Sequence, residues 1–234
     1  MSVDENISSI RERVASAAHR TGRDPGEIIL MAVSKTQPPA RIREAYAAGL
    51  RVFGENRVQE FLGKRERLQD LPDAEWHMIG HLQTNKAAKT VQLFCAVDSV
   101  DSLKLAEKLD SAARTMGKNL DVLVEVNVGG EAAKSGVSPG SDSLEELLLA
   151  AERLPALTFR GLMTVPPHSQ NPQGARPYFR KLRELRDAIA ARGLREISMD
   201  QLSMGMSHDF EVAIEEGSTC VRVGTAIFGE RPQL

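Results

Sequence analysis

The sequence predicts a (β/α)8 barrel of the TIM type, an α/β fold, with one extra helix at its N-terminus. Three observations lead there. Short apolar runs rich in β-branched residues are followed by helical patterns or by the chain end, eight times from residue 28 onward. No stretch rich in Pro, Gly or Ser divides the 234 residues, so residues 1–234 read as a single domain. The first strand-to-helix turn, Ser34, Lys35, Thr36, Gln37 and Pro38, lacks the glycine fingerprint that an open doubly wound sheet normally shows there.

Each element has its own warrant. Ile7, Ile10, Val14 and Ala17 recur at helical spacing, which predicts an amphipathic helix over residues 4–20. Residues 28–33 then form an apolar strand, and Pro38 and Pro39 open a helix running through Tyr46, because a missing N–H is harmless in a first turn. Gly49 ends that helix. A strand at 51–53 and a helix at 58–68 make the second unit. Further strands are expected at 76–79, 94–97, 122–128, 159–165, 198–203 and 219–223, with helices at 102–116, 143–153, 175–191 and 209–216 between them.

Thirty basic against 32 acidic side chains give a net charge of -2, so no global field favours nucleic acid or an anionic membrane. The basic runs at Lys64, Arg65 and Arg67, and at Arg180, Lys181, Arg183 and Arg186, alternate with acids or apolar residues, as solvated helix faces do. Asp4 and Glu5 stand where a signal peptide needs a basic segment, and no apolar run reaches membrane-spanning length, so a cytoplasmic location is expected. Cys95 and Cys220 each lie in an apolar stretch and read as buried, reduced thiols.

In a β/α barrel the chemistry gathers on the loops after the strands, and Lys35 heads that set. An amine directly after a buried strand is partly desolvated and becomes a usable nucleophile for an aldehyde; the alternative is a side chain that merely snorkels to water. After the seventh strand come Ser203, Met204, Gly205, Met206 and Ser207, and after the eighth Gly224 and Thr225. These are the usual phosphate-binding loops of such barrels: small residues admit an anion to the backbone amides, and Ser203 and Thr225 add hydroxyl donors. Strand alternation places Arg222 on the face that carries Gly224, where it serves either the anion or a salt bridge to an inward carboxylate such as Glu125. Amine, phosphate cradle and cation together suit a phosphorylated aldehyde cofactor, of which pyridoxal phosphate is the common one. A guanidinium cannot accept a proton from the pyridine nitrogen, so Arg222 would disfavour the pyridinium form and weaken the ring as an electron sink.

Other groups carry less. His77 and His81 have the i, i+4 spacing of a helical metal pair but fall in and after a strand, where residues four apart are too distant to chelate, so no metal is expected. Asn56 and Gln59 after the second strand, and Gln83, Asn85 and Lys86 after the third, either line the mouth or cap helices.

The segments Ala32-Val33-Ser34-Lys35-Thr36, Phe53-Gly54-Glu55-Asn56, Trp76-His77-Met78-Ile79-Gly80, Arg160-Gly161-Leu162-Met163, Leu202-Ser203-Met204-Gly205-Met206-Ser207 and Val223-Gly224-Thr225-Ala226-Ile227-Phe228-Gly229 resemble the motifs of the pyridoxal phosphate homeostasis proteins. The resemblance runs nearly end to end. It implies the barrel of the alanine racemase N-terminal domain, binding of pyridoxal phosphate without a well-established catalytic activity, and a part in vitamin B6 balance. It further implies a Schiff base on Lys35, phosphate contacts from Ser203, Gly205, Gly224 and Thr225, a pyridine nitrogen contact from Arg222, and Asn56 beside the cofactor. Lys134 matches a family lysine near the mouth, with no role assigned, and His81 falls at a variable position. The implied partners are pyridoxal phosphate itself and apo-enzymes that receive it.

The rival reading is an amino-acid racemase of the alanine racemase type. Those enzymes resemble this chain in the barrel but take a second base, a tyrosine, from a C-terminal β domain of a partner subunit. The sequence runs to Leu234 just past the barrel, and Tyr46 and Tyr178 fall in helical stretches. A non-catalytic, monomeric binding protein is therefore expected, with a weak racemase-like side activity left open.

Overall fold

The computed structural model describes residues 2–131 and 133–230. Helix α1 (Val3–Arg20) opens with a capping box: the Glu5 N–H donates to Ser2 Oγ and the Ser2 N–H donates to the Glu5 carboxylate. Its apolar stripe of Ile7, Ile10, Val14 and Ala17 is buried, as the spacing requires. The alternation then runs β1 (Ile29–Val33), α2 (Pro39–Ala47), β2 (Val52–Glu55), α3 (Val58–Arg65), β3 (Glu75–Met78), α4 (Ala87–Leu93), β4 (Ala96–Val100), α5 (Leu103–Thr115), β5 (Leu120–Glu125), α6 (Asp142–Ala150), β6 (Leu157–Met163), α7 (Arg176–Ala190), β7 (Ile197–Met206), α8 (Phe210–Glu215), β8 (Cys220–Val223) and α9 (Thr225–Phe228). The strands pair in sequence order, all parallel, and β1 pairs with β8 to close the barrel.

Alternation along each strand sorts the side chains into two populations. Outward residues meet the helices in the main core, where Phe53, Trp76, Phe61 and Phe94 form a chain of rings with centroids 4.6–4.9 Å apart. Inward residues fill the lumen: Met31, Leu123, Met163 and Cys220 are buried yet stand apart from that core. The lumen also takes in His77, Asp98, Glu125, Ser203 and Arg222, all of them polar. Helix α1 braces the last unit, because Asn6 donates to the Ile227 carbonyl at 2.9 Å and Arg13 and Arg20 pair with Glu211 and Glu215. It thereby steadies α9, one wall of the mouth.

Several expectations need correction. Strand β7 continues to Met206 instead of ending at residue 203, through a register shift and a Gly205 with φ +93°. Strand β5 stops at Glu125; Val126 and Val128 are buried outside the sheet, Val126 forming a lone bridge with Val137. Cys95 is exposed, since β4 begins only at Ala96 and leaves the thiol at the open N-terminal end of the barrel. Lys64 does not lie on a solvated face: it is 7% exposed, beneath the mouth. Among the described residues no helix is long and apolar enough to cross a membrane.

Candidate functional site

Strand β1 delivers Val33 inward, Ser34 outward and Lys35 inward again, so the lysine enters the C-terminal mouth of the barrel half-buried. There it lines a cavity of about 360 Å³. Asn56 follows β2 onto the same wall, Ile79 follows β3, Val165 follows β6, Ser207 and His208 follow β7, and β8 supplies Arg222 before Gly224 and Thr225. Two other cavities are as large. One of about 410 Å³ lies on the outer surface between α1 and the start of β2, and one of about 370 Å³ lies at the opposite barrel mouth. Neither joins an amine to an anion-binding turn, so the chemistry singles out the C-terminal mouth.

The turn after β8 gathers backbone donors. The Gly224 and Ala226 N–H groups converge on Ser207 Oγ, at 3.2 and 3.3 Å, so two backbone donors already point at one oxygen. A Cβ on Gly224 would lie no closer than 3.4 Å to any neighbour, and Thr225 is exposed on the cavity wall. Ser203 and Gly205 stand elsewhere. Ser203 is fully buried in the lumen and accepts from Arg222, while Gly205 packs so tightly on α8 that a Cβ there would meet Ala213 Cβ at 2.5 Å. Among the polar wall residues, His208 is not singled out by the sequence, and Ser207, placed there only within the loop after β7, is given no contact of its own although its hydroxyl is a signal.

Arg222 is 4% exposed and fixed at both ends of its fork, donating to Ser203 Oγ and to the Thr164 carbonyl, each at 2.7 Å. Burial pushes its pKa below the ordinary guanidinium value, against the fields of Cys220, Asp98, Glu125 and Asp209. Both gripped oxygens are uncharged, so the carboxylates act on this cation at a distance. Glu125 shows the other side of that balance. Burial, then the charge of Asp101, raise its carboxyl to about 7, while Arg222 and His81 hold it back.

The residues present fit an aldehyde with a phosphate arm. Asn56 Oδ1 is buried and accepts no hydrogen bond from the described residues, which leaves an acceptor at the wall of the cavity. Lys35, the Gly224–Thr225 turn and the Arg222 cation share that cavity's wall. Lys134 opens onto an adjoining space of about 170 Å³, where Nζ donates to the Pro166 carbonyl at 3.0 Å and pairs with Glu131. His77 and His81 have separate partners, Asp98 at 3.0 Å and Asp101 at 3.2 Å, and no group of three metal-ligating side chains occurs among the described residues.

Comparison with known proteins agrees with the fold and identifies a family. Residues 5–232 match the alanine racemase N-terminal domain family. The chain is 50% identical over 231 residues to the pyridoxal phosphate homeostasis protein of Aquifex aeolicus, covering 99% of each, and 46% identical over 229 residues to that of Pseudomonas aeruginosa, covering 98% of this chain and 96% of that one. PipY of Synechococcus elongatus, solved with pyridoxal phosphate bound, superposes with a TM-score of 0.81 at 40% identity, covering 94% of this chain and all of that one. Alanine racemase from Streptomyces coelicolor shares the fold, with a TM-score of 0.68 at 23% identity over 95% of this chain and 58% of its own.

Proposed function

This chain belongs to the pyridoxal phosphate homeostasis proteins, and on that premise we propose that it binds pyridoxal phosphate at the C-terminal mouth, as a Schiff base on Lys35, and serves intracellular vitamin B6 homeostasis. The observation that carries this reading is the meeting of Lys35, Arg222, Ser207 and the Gly224–Thr225 turn on one cavity of about 360 Å³. When bound, the cofactor supplies an aldehyde for the amine and an electron-withdrawing ring. The chain's own groups do the rest. Lys35 Nζ provides the nucleophile, Gly224, Ala226 and Thr225 hold the phosphate with Ser207, Asn56 lies against the ring, and Arg222 meets the ring nitrogen with a donor. Ser203 acts through Arg222, whose guanidinium it anchors at 2.7 Å, and Gly205 acts by letting β7 approach α8.

Holding the cofactor, more than turning over amino acids with it, fits these residues. A fixed guanidinium leaves the ring nitrogen unprotonated. Neither of the chain's two tyrosines lines the mouth: Tyr46 and Tyr178 belong to α2 and α7. Apo-enzymes are the receivers of the released cofactor in this reading, and the protein acts as a monomer.

Purified protein should be yellow, and borohydride should fix the cofactor on the peptide that contains Lys35. Lys35→Ala should abolish both. If that variant kept the full reducible adduct, the assignment would fall. His208 stands with Lys35 and Arg222 on the cavity wall and is the candidate for a second base, so wild type and His208→Ala are compared for deuterium exchange at the α-carbon of L-amino acids. Rapid exchange with inversion, lost in the variant, would refute a purely binding role.

A further inference from the structure

Thr36, directly after Lys35, has φ +62°, a left-handed conformation that a β-branched residue rarely adopts. Backbone strain of this kind persists only where the surroundings over-determine it. Here they do. The Thr36 N–H donates to Glu60 Oε1 at 2.5 Å, and the same oxygen lies 3.0 Å from Lys64 Nζ. Lys64 Nζ also lies 2.8 Å from Glu55 Oε1 and donates to the Ser34 carbonyl at 2.9 Å, while the Ser34 hydroxyl donates to Glu55 Oε1 at 2.6 Å. The network closes behind the barrel wall, between the ends of β1 and β2 and helix α3, and it grips the residue on each side of Lys35 without entering the mouth.

We propose that Lys64, with Glu60 and Glu55, is a positioning clamp that holds the residues flanking Lys35, so that its amine is presented to the aldehyde in one orientation.

The clamp's burial argues for a use beyond stability. Glu55 is fully buried and Lys64 nearly so, and a buried ion pair is weak support for a fold compared with apolar packing of the same volume. Its gain is geometric: three fixed points on a turn that would otherwise relax. The electrostatics agree. Burial pushes the Glu55 carboxyl up, against Lys64 and Ser34. Burial also pushes Glu60 up, but the Thr36 N–H and Lys64 outweigh it and hold Glu60 below its ordinary value.

This inference rests on the proposed binding of pyridoxal phosphate at Lys35, and the test separates the two. Glu60 is 29% exposed, so Glu60→Ala frees the Thr36 N–H to water while Lys64 keeps Glu55. The apoprotein of wild type, Glu60→Ala and Glu60→Gln is mixed with pyridoxal phosphate, and the rate of appearance of the borohydride-reducible adduct on the Lys35 peptide is measured beside the thermal midpoint. Glu60→Ala should slow the adduct about tenfold, the fold-change that relaxing one strained residue allows. Its midpoint should move little, and Glu60→Gln, which keeps an acceptor for Thr36, should restore most of the rate. A wild-type rate in Glu60→Ala would overturn the clamp alone. Should Glu60→Ala melt early, hydrogen exchange at the Thr36 amide decides: protection equal to wild type overturns the clamp, and faster exchange with a slower adduct supports it. Absence of any Lys35 adduct in wild type would overturn the binding reading and the clamp with it.

Discussion

Replacing Asp98 by Asn should destabilise the protein by about 3–5 kcal/mol near pH 6.5, the usual effect of breaking a buried ion pair, and by progressively less as the pH rises toward 10. Asp98 Oδ1 lies 3.0 Å from His77 Nδ1 inside the lumen, with side chains 2% and 15% exposed. Burial alone would depress the imidazole, but the charge and hydrogen bond of Asp98, helped by the neighbouring Cys95 thiol, lift its pKa from 6.5 to about 10. That lift corresponds to roughly 5 kcal/mol in favour of the imidazolium, as a ceiling before relaxation. Because the folded value lies above the unfolded one, the stabilisation is complete below about pH 6.5. It then declines by about 1.4 kcal/mol per pH unit and is gone above the folded value. Cys220, whose thiol is pushed up to about 12 by burial and then by the charge of Asp98, also lowers stability in alkali and does so differently in the two proteins, so the comparison is read below the ordinary thiol value of 9.0. Urea midpoints of wild type and Asp98→Asn across this range, with the His77 ring followed by NMR, give the measurement. A gap between the two that does not change with pH, or an imidazole titrating near its ordinary value in folded wild type, would refute the reasoning.

Ser207→Ala should weaken pyridoxal phosphate about five- to tenfold, the loss of one good hydrogen bond, while leaving unphosphorylated pyridoxal unaffected; equal losses for both ligands in a titration would remove Ser207 from the phosphate cradle. Gly205→Ala should cost about 2–4 kcal/mol, since φ +93° is strained for alanine and the new Cβ would meet Ala213 Cβ at 2.5 Å. An unchanged urea midpoint would contradict this. In the native protein iodoacetamide should label the exposed Cys95 and spare Cys220, which should react only on unfolding; peptide mapping by mass spectrometry reads the outcome.

The barrel was legible because its signal is periodic: each strand is an apolar run and each helix an amphipathic stretch, so errors at individual ends do not change the order. The ends themselves depend on tertiary contacts. Gly205 reads as a loop residue in isolation, yet it is where β7 must approach Phe210 and Ala213 on α8, and the strand runs through it. Val126 and Val128 have strand-like side chains, but the chain leaves the sheet after Glu125 and buries them in the main core outside it. Lys64 misled for a related reason. Its neighbours suggested a solvated face, and only the fold brings Glu55, from β2, to within 2.8 Å. In the site, Lys35, Gly224 and Thr225 could be placed from strand ends alone, whereas Asn56, open between lining the mouth and capping a helix, took the family resemblance. Ser203 could not, because moving the end of β7 from Ser203 to Met206 carries the Ser203 hydroxyl from the mouth into the lumen.

Arg222 stands on the face that strand alternation gives it, without the carboxylate partner weighed for it there. The resemblance implies a pyridine nitrogen contact for it, and strand geometry alone left two uses, binding an anion or pairing with Glu125. The fold favours neither in that form. Its two anchors are Ser203 Oγ and the Thr164 carbonyl, while Glu125 keeps an oxygen without a hydrogen-bond partner and is raised to about 7. A cation held by neutral acceptors retains its charge and its position whether or not a ligand is present, and nearby carboxylates lower the cost of burying it without occupying its donors. A side chain fixed in this way cannot swing aside to admit proton transfer at a ring nitrogen. Under the proposed binding it is therefore suited to a site that keeps a cofactor in one electronic state, and the proposed clamp on the residues flanking Lys35 would fix the opposite end of the same ligand.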